Sequence, residues 1–114
     1  PSISAAYSPA VARMAGEDPA EGARLIGHVL GSVKLRDMAG GRPAPLGEGE
    51  LAVEPFVRFL AEVGYDGWVV YEHDRLWWRD LPDPSQLLIE GAARLYRWMG
   101  RPTGEIEARK FAVA

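Results

Sequence analysis

The sequence predicts an α/β fold in which short parallel strands alternate with helices. Three segments with alternating or apolar side chains are each followed, after a loop, by a run of apolar residues at helical spacing. Consecutive strands that are separated by a helix run parallel within one sheet. We therefore expect strands near residues 3–7, 32–37 and 67–72, and helices near residues 19–30, 53–64 and 84–99.

The first unit begins with a short strand at Ile3–Tyr7 and continues into a helix that starts at Asp18-Pro-Ala-Glu21. An aspartate followed by proline is typical of a helix start, because the carboxylate accepts unpaired N–H groups and proline needs no partner there. The apolar positions of this helix precede a stop near Gly31; they are Leu25, Ile26, Val29 and Leu30.

The second strand, Ser32–Asp37, has two chemically different faces. Alternation places Val33 and Leu35 on one face, and Lys34 and Arg36 on the other. The basic face is expected to lie at a ligand site or in solvent.

A loop rich in glycine and proline, residues 39–49, separates this strand from the second helix. Its composition excludes a helix or a central strand. The second helix then shows one apolar stripe before a stop at Gly64, formed by Val53, Phe56, Val57, Leu60 and Val63.

The third strand, Gly67–Glu72, is predicted to be buried and ends on a carboxylate. Trp68, Val70 and Glu72 share one face of this strand. An acid at the tip of an apolar strand is costly unless it is solvated, paired or bound to a cation. The carboxyl ends of strands are also where βα-barrels carry their chemistry. Glu72 is therefore the first candidate for a functional residue.

The last helix opens with Asp83-Pro-Ser-Gln86, a start of the same kind as the first. It is expected to bury one stripe, formed by Leu88, Ala92, Leu95, Tyr96 and Met99. The tail at residues 101–114 shows no clear periodicity and is expected to form an arm or to be partly disordered.

Composition excludes several classes of function. The 114 residues contain no cysteine, so disulfides, thiolate metal sites and cysteine nucleophiles are absent. A net charge of −3 disfavours binding to nucleic acid, which needs a basic face. No apolar run approaches the length of about 20 residues that crosses a membrane. We expect a cytoplasmic protein.

A parallel sheet of three strands leaves two unpaired edges, which is a poor end point for a stable domain. A complete eightfold barrel needs about 250 residues, and residues 1–100 hold three units. We therefore expect an incomplete barrel, either the C-terminal part of a longer protein or a unit completed by other chains, such as a homo-oligomer.

Several segments, in this order and spacing, resemble the end of a sugar phosphate isomerase/epimerase of the xylose-isomerase-like TIM-barrel superfamily. They are Val33-Lys-Leu-Arg-Asp37, Gly40-Gly41, Pro45-Leu-Gly-Glu-Gly-Glu50, Gly64-Tyr-Asp-Gly-Trp68 and Glu72. The family pattern has valine-histidine-x-lysine-aspartate, leucine-glycine-glutamate-glycine and tyrosine-aspartate-glycine. The resemblance covers about residues 1–100 and implies that they form the last three βα units of the barrel.

The resemblance also implies a divalent metal (Mn, Mg, Zn or Co), held by glutamate, aspartate, histidine and glutamate from four strand ends. The first glutamate position precedes this chain. The other positions fall on Ser8, Lys34 and Glu72. Serine is a weak neutral ligand, and a lysine ammonium has no lone pair to donate. We therefore expect no cofactor in this chain, with Glu72 the one family ligand retained.

The lysine that replaces a metal ligand brings a positive charge to the expected place of the cation. We hypothesise that Lys34 and Glu72, which end adjacent strands on the same face, form an ion pair without metal. Glu72 is then the candidate catalytic acid–base residue. The alternative interpretation is a strand-end acid that meets solvent.

Four further residues are candidates for binding a small sugar or sugar-phosphate-like ligand. Lys34 and Arg36 suit a phosphate or carboxylate, although a solvated strand end explains them equally. Arg42 could close over the ligand from its loop, or simply be exposed. Trp77, beside Trp78, could stack on a sugar face, although such pairs more often serve packing or subunit contact.

Two functions follow from these observations. The first is part of an isomerase or epimerase that moves a proton next to a sugar carbonyl, with the usual metal site degraded. The alternative is a non-catalytic relative of the barrel that binds a small anionic or sugar-like ligand, or a partner chain. A DNA-repair nuclease is disfavoured by the acidic composition and the missing ligands.

Overall fold

The computed structural model describes residues 3–74, 78–81 and 83–101. Its mixed α/β architecture, with a small parallel sheet and helices, confirms the α/β part of the predicted fold class. The elements in chain order are β1 (Ala5–Tyr7), α1 (Pro9–Met14), α2 (Pro19–Leu25), β2 (Leu30–Leu35), β3 (Asp37–Ala39), β4 (Arg42–Ala44), α3 (Val53–Glu62), β5 (Trp68–Tyr71) and α4 (Pro84–Trp98).

The main sheet has the strand order β1-β2-β5, with both strand pairs parallel. Ser32 lies opposite Trp68, and Lys34 lies opposite Val70. The backbone N–H of Glu72 donates to the Leu35 carbonyl at 2.8 Å, so the pairing continues one step past β5. The carboxyl ends of β2 and β5 therefore lie side by side.

The hydrophobic core lies on one face of this sheet. Val33 and Leu35 are completely buried there, against the apolar stripe of α3. Four of the five positions expected for that stripe belong to the core cluster, namely Val53, Phe56, Val57 and Leu60. Val63 is 57% exposed instead, because α3 ends at Glu62 and Val63 is its C-cap.

The opposite face of the sheet is not covered by the described residues. Trp68 is 77% exposed and Val70 is 38% exposed, while Lys34 on the neighbouring strand is also exposed. The prediction that 67–72 forms a buried strand is therefore wrong for this face. Apolar side chains in a strand indicate a face that is more stable when buried. The sequence does not show whether another element packs on that face.

The first half of the chain differs from the prediction in three places. The helix expected near 19–30 ends at Leu25 and gives way to a 3₁₀ turn at Gly27–Val29, so β2 starts early, at Leu30. A short helix at Pro9–Met14 was not predicted, because six residues give too little periodicity to recognise.

An antiparallel hairpin, β3–β4, that was not predicted spans the end of the expected second strand and the start of the glycine-rich loop. The second strand ends at Leu35 rather than Asp37, and Asp37 begins β3. Pro43 lies within β4 opposite Met38, and proline is compatible with an edge strand of this kind.

In α4 the buried positions are Leu87, Gly91 and Ala92. Of the stripe expected there, Ala92 is buried and Leu95 and Met99 pack against the core, whereas Leu87 rather than Leu88 is the buried leucine. The tail at residues 102–114 lies outside the described residues.

None of the helices within the described ranges is long and apolar enough to span a lipid bilayer.

Candidate functional site

Three charged residues meet at the carboxyl ends of the two central parallel strands. Lys34 and Arg36 come from β2 and the segment just after it, and Glu72 follows β5 directly. Because alternate residues share a face, these side chains stand on the uncovered face of the sheet. Together with Asp74 they form what we call the strand-end cluster.

Arg36 is the principal partner of Glu72. Its Nη2 donates to Glu72 Oε2 at 2.6 Å, and its Nη1 lies 3.5 Å from Asp74 Oδ2. Lys34 Nζ lies 4.0 Å from Glu72 Oε1, which is too long for a hydrogen bond. The ion pair expected between Lys34 and Glu72 is therefore present only as a longer-range contact, and the direct bond belongs to Arg36.

This arrangement leaves Lys34 as the more available cation. Its side chain is 48% exposed, and its ammonium can turn toward an incoming anion. Glu72 is partly shielded and carries a second carboxylate oxygen beyond the one bonded to Arg36. The cluster can thus offer one positive donor and one carboxylate acceptor to a ligand at the same edge of the sheet.

The residues at the metal positions that the resemblance implies do not fit a metal. Ser8 is the N-cap of α1, and its Oγ accepts from the Val11 N–H at 3.3 Å. Lys34 cannot coordinate a cation, which leaves Glu72 alone. Across the described residues, no group of three or more histidine or acidic side chains could hold a metal ion.

Of the two remaining predicted residues, the structure describes Arg42, which contacts a different part of the chain. Arg42 pairs with Asp80, Nη2 to Oδ2 at 2.5 Å, and its guanidinium lies over the Trp78 ring at 4.8 Å from the centroid. Arg42 therefore connects the β3–β4 hairpin to the segment that contains Trp78 and Asp80. Trp77 lies outside the described residues.

Asp37 is an ordered acidic residue whose role the sequence did not reveal. It is 2% exposed, and its carboxylate accepts four backbone N–H groups from the loop that follows. The donors are Met38 and Leu51 to Oδ1, at 3.0 and 3.2 Å, and Gly47 and Gly49 to Oδ2, at 2.9 and 3.0 Å. The glycines of the Leu46-Gly-Glu-Gly49 segment were the signal available in the sequence.

The Asp37 carboxylate lies so close to position 49 that only glycine fits there. A Cβ there would overlap the Asp37 side chain and the Met38 carbonyl oxygen. Gly47 adopts φ of 92°, a left-handed conformation that favours glycine. The loop after β2 is thus folded around Asp37, one residue beyond Arg36, and this fixes where β2 ends.

Behind the sheet, Tyr71 connects β5 to α4. Its side chain lies against Gly91, where a Cβ would overlap the ring. Burial is the main cause that raises the pKa of Tyr71 above its ordinary value, and nearby Asp37 also raises this pKa. The nearby Leu46 backbone and the positive charge of Arg94 act in the opposite direction and lower this pKa.

Comparison with known proteins gives no match for this chain among protein-family models, curated proteins or solved structures.

Proposed function

We propose that the strand-end cluster binds a small anionic sugar, such as a sugar phosphate. The observation that carries this proposal is the convergence of Lys34, Arg36 and Glu72 at the carboxyl ends of adjacent parallel strands. Ligands of open α/β sheets and of βα-barrels bind at this end of the strands. A phosphate would accept hydrogen bonds from Lys34, and sugar hydroxyls would donate to Glu72.

We further propose that the chain provides three βα units of an isomerase-like barrel. Supporting this, the helices among the described residues cover one face of the parallel sheet, whereas parallel sheets in proteins are generally buried on both faces. In a barrel the uncovered face, with Lys34 and Glu72 at its rim, would be the interior. The order of the motifs from Val33 to Glu72 supports the same assignment.

The binding proposal is tested by titration calorimetry with ribose 5-phosphate, ribose and inorganic phosphate. We expect ribose 5-phosphate to bind most tightly, and Lys34→Met to weaken it by about tenfold or more, because a charge-assisted hydrogen bond is lost. Arg58→Met is the control, since Arg58 pairs with Glu54 on the exposed side of α3. Equal affinity for ribose, or unchanged binding by Lys34→Met, would refute the proposal.

A second candidate, proton transfer beside the sugar carbonyl, is favoured by the 4.0 Å separation between Lys34 Nζ and Glu72 Oε1. A ligand placed over this gap would present its carbonyl oxygen to the ammonium and its adjacent C–H to the carboxylate. Glu72 would take the proton, the electron pair would move to the carbonyl oxygen, and Lys34 would stabilise the resulting enolate.

This chemistry predicts exchange of the carbon-bound proton with solvent. In D₂O we expect NMR to show loss of the signal from the proton on the carbon next to the carbonyl of a ketose phosphate such as ribulose 5-phosphate. Glu72→Gln should slow the loss at least about 100-fold, whereas Glu54→Gln should leave it unchanged. Binding without exchange in the wild type would retain the binding proposal and reject catalysis.

A further inference from the structure

The strand-end cluster contains as many acidic as basic side chains. Lys34 and Arg36 carry its positive charges, and Glu72 and Asp74 carry its negative charges. The signs alternate along three successive contacts, from Lys34 to Glu72 at 4.0 Å, on to Arg36 at 2.6 Å and on to Asp74 at 3.5 Å. The cluster is therefore neutral as a whole, and a ligand that carries only negative charge matches one end of it but not the other.

The two ends of the cluster are the parts most available to a ligand. Arg36, in the middle, already directs both outer nitrogens of its guanidinium at carboxylates. The Lys34 ammonium and the second carboxylate oxygen of Asp74 form no hydrogen bond within the described part of the chain, and the Asp74 side chain is 55% exposed. A cationic donor and an anionic acceptor are thus open to solvent at opposite ends of the cluster.

Asp74 is also the carboxylate whose charge is less completely balanced. Glu72 has two cations within 4.0 Å, and Arg36 binds it directly at 2.6 Å. Among the described residues Asp74 has one cationic partner, at 3.5 Å. This distance exceeds the roughly 2.7–2.9 Å of a charge-assisted hydrogen bond. A positively charged group of a ligand therefore gains more at Asp74 than at Glu72.

We propose that the anionic sugar bound by this cluster is an amino sugar phosphate, whose phosphate binds Lys34 and whose ammonium group binds Asp74. This inference rests on the proposed function and names the class of sugar phosphate. An ammonium group offers three N–H donors and a full charge, whereas a hydroxyl group in the same place offers one neutral O–H donor. Hydrogen bonds between ionised groups are roughly twice as strong as those between neutral groups.

The charge balance of the complex favours the same class of ligand. A phosphate monoester carries about −1.5 to −2 charges at pH 7. Bound to a neutral cluster, a sugar phosphate without an amino group places this excess charge beside two carboxylates. An ammonium group offsets part of it at the end where the repulsion arises. Lys34 and Asp74 are connected through three contacts of 4.0 Å or less, so a ligand of the size of a hexose phosphate can reach both.

Titration calorimetry of the complete chain with three matched ligands tests the proposal. The ligands are glucosamine 6-phosphate, glucose 6-phosphate and N-acetylglucosamine 6-phosphate, which share the phosphate and differ at one carbon. We expect glucosamine 6-phosphate to bind at least about tenfold more tightly than the other two. The acetylated ligand keeps the nitrogen but loses its positive charge, so it separates the effect of charge from that of shape.

Substitution of Asp74 identifies the partner of the amino group. In Asp74→Asn the three ligands should bind with affinities within about threefold of one another, because the preference depends on the carboxylate charge. Asp66→Asn is the matched control, since Asp66 precedes β5 whereas Asp74 follows it. This variant should keep the tenfold preference. Lys34→Met should weaken glucosamine 6-phosphate and glucose 6-phosphate by the same factor, because both carry the phosphate.

The possible failures of this inference and of the proposed function are distinguishable. Equal affinity of the wild type for glucosamine 6-phosphate and glucose 6-phosphate, or a preference that Asp74→Asn retains, overturns the inference alone. Binding of ribose 5-phosphate without binding of any of the three hexose phosphates has the same meaning. If ribose 5-phosphate also fails to bind, the anion site and the inference built on it are both rejected.

Discussion

At the level of single residues, Asp37 determines more of the local structure than any residue of the strand-end cluster. One buried carboxylate satisfies four backbone N–H groups across a loop of more than ten residues. Backbone donors in a turn-rich segment cannot all find partners in a helix or a sheet, and a buried donor without a partner is costly. The loop therefore depends on the position and the charge of one side chain.

We predict that Asp37→Asn destabilises the protein by about 2–4 kcal/mol. The amide nitrogen of asparagine replaces one carboxylate oxygen, so two N–H groups lose their acceptor and face another donor. The free energy of unfolding by urea, followed by circular dichroism, measures the effect. Asp66→Asn on the exposed loop before β5 is the control and should change stability by less than about 0.5 kcal/mol. Equal stability of the two variants would contradict this account of Asp37.

The raised pKa of Tyr71 predicts a loss of folding stability at alkaline pH. Because burial raises its pKa in the folded state, the unfolded chain releases the phenolic proton first as the pH rises past about 10. The folded state then holds more protons, so stability is complete below that pH and falls above it. Tyr7 and Tyr65 also have raised pKa values and contribute in the same direction.

Melting temperatures from pH 8 to 11 check this prediction. Tyr71→Phe should retain more of its neutral-pH stability at pH 11 than the wild type does, with a shallower decline rather than none, since Tyr7 and Tyr65 remain. Tyr96→Phe on α4 serves as the comparison. A decline in Tyr71→Phe as steep as that of the wild type would rule out Tyr71 as a source.

At the level of elements, α4 approaches β5 closely because Gly91 has no side chain. The Tyr71 ring occupies the space where a Cβ would stand. Alanine is normally the better helix former by about 1 kcal/mol. Glycine at position 91 therefore lowers the intrinsic stability of the helix but permits the close contact with Tyr71. The same helix is fastened further along by Arg94, which donates to the Leu46 carbonyl at 2.6 Å and pairs with Glu48 at 2.9 Å.

We therefore predict that Gly91→Ala destabilises the wild type by about 1–3 kcal/mol, because the added methyl group overpacks the contact. In a Tyr71→Ala background the same change should become stabilising, by up to about 1 kcal/mol, through helix propensity. Chemical denaturation of the four variants in this cycle gives the coupling energy. Additive effects of the two substitutions would contradict the proposed contact.

The elements that periodicity could predict are those with several turns or strong alternation. Val33 and Leu35 against Lys34 were sufficient to orient β2, and the stripe from Val53 to Leu60 was sufficient to orient α3. Helix α1 was missed because it is defined by the Ser8 cap rather than by a stripe. The hairpin was missed because its strands have three residues each and include a proline.

The location of the strand-end cluster could be predicted, because parallel strands bring their carboxyl ends together. The partner of Glu72 could not, since Lys34 and Arg36 lie on the same face and both can reach across to β5. Arg36 forms the direct bond to Glu72 because it lies two residues beyond Lys34 and is level with Glu72 across the sheet. Lys34 is level with Val70 instead. That distinction requires the register of the two strands, which the sequence does not specify.

For the whole molecule, the position of β2 at the centre of the sheet makes it the most protected segment. It pairs on both edges, and its inward side chains are fully buried. We predict that the backbone amides of β2 that are bonded within the sheet exchange with deuterium at least about 100-fold more slowly than those of β3–β4, which form an isolated two-stranded hairpin. Hydrogen exchange followed by NMR measures this, and equal protection of the two would contradict a central role for β2.

The central position of β2 also has a consequence for folding during synthesis on the ribosome. The contact between Arg36 and Glu72 spans 36 residues. At about 5–20 residues per second, synthesis of that stretch takes roughly 2–7 seconds. During this interval the nascent chain can hold β2 against β1, while the other side of β2 has no strand to join. We expect the nascent chain to be most open to wrong strand pairing during this interval, before its last helix is translated.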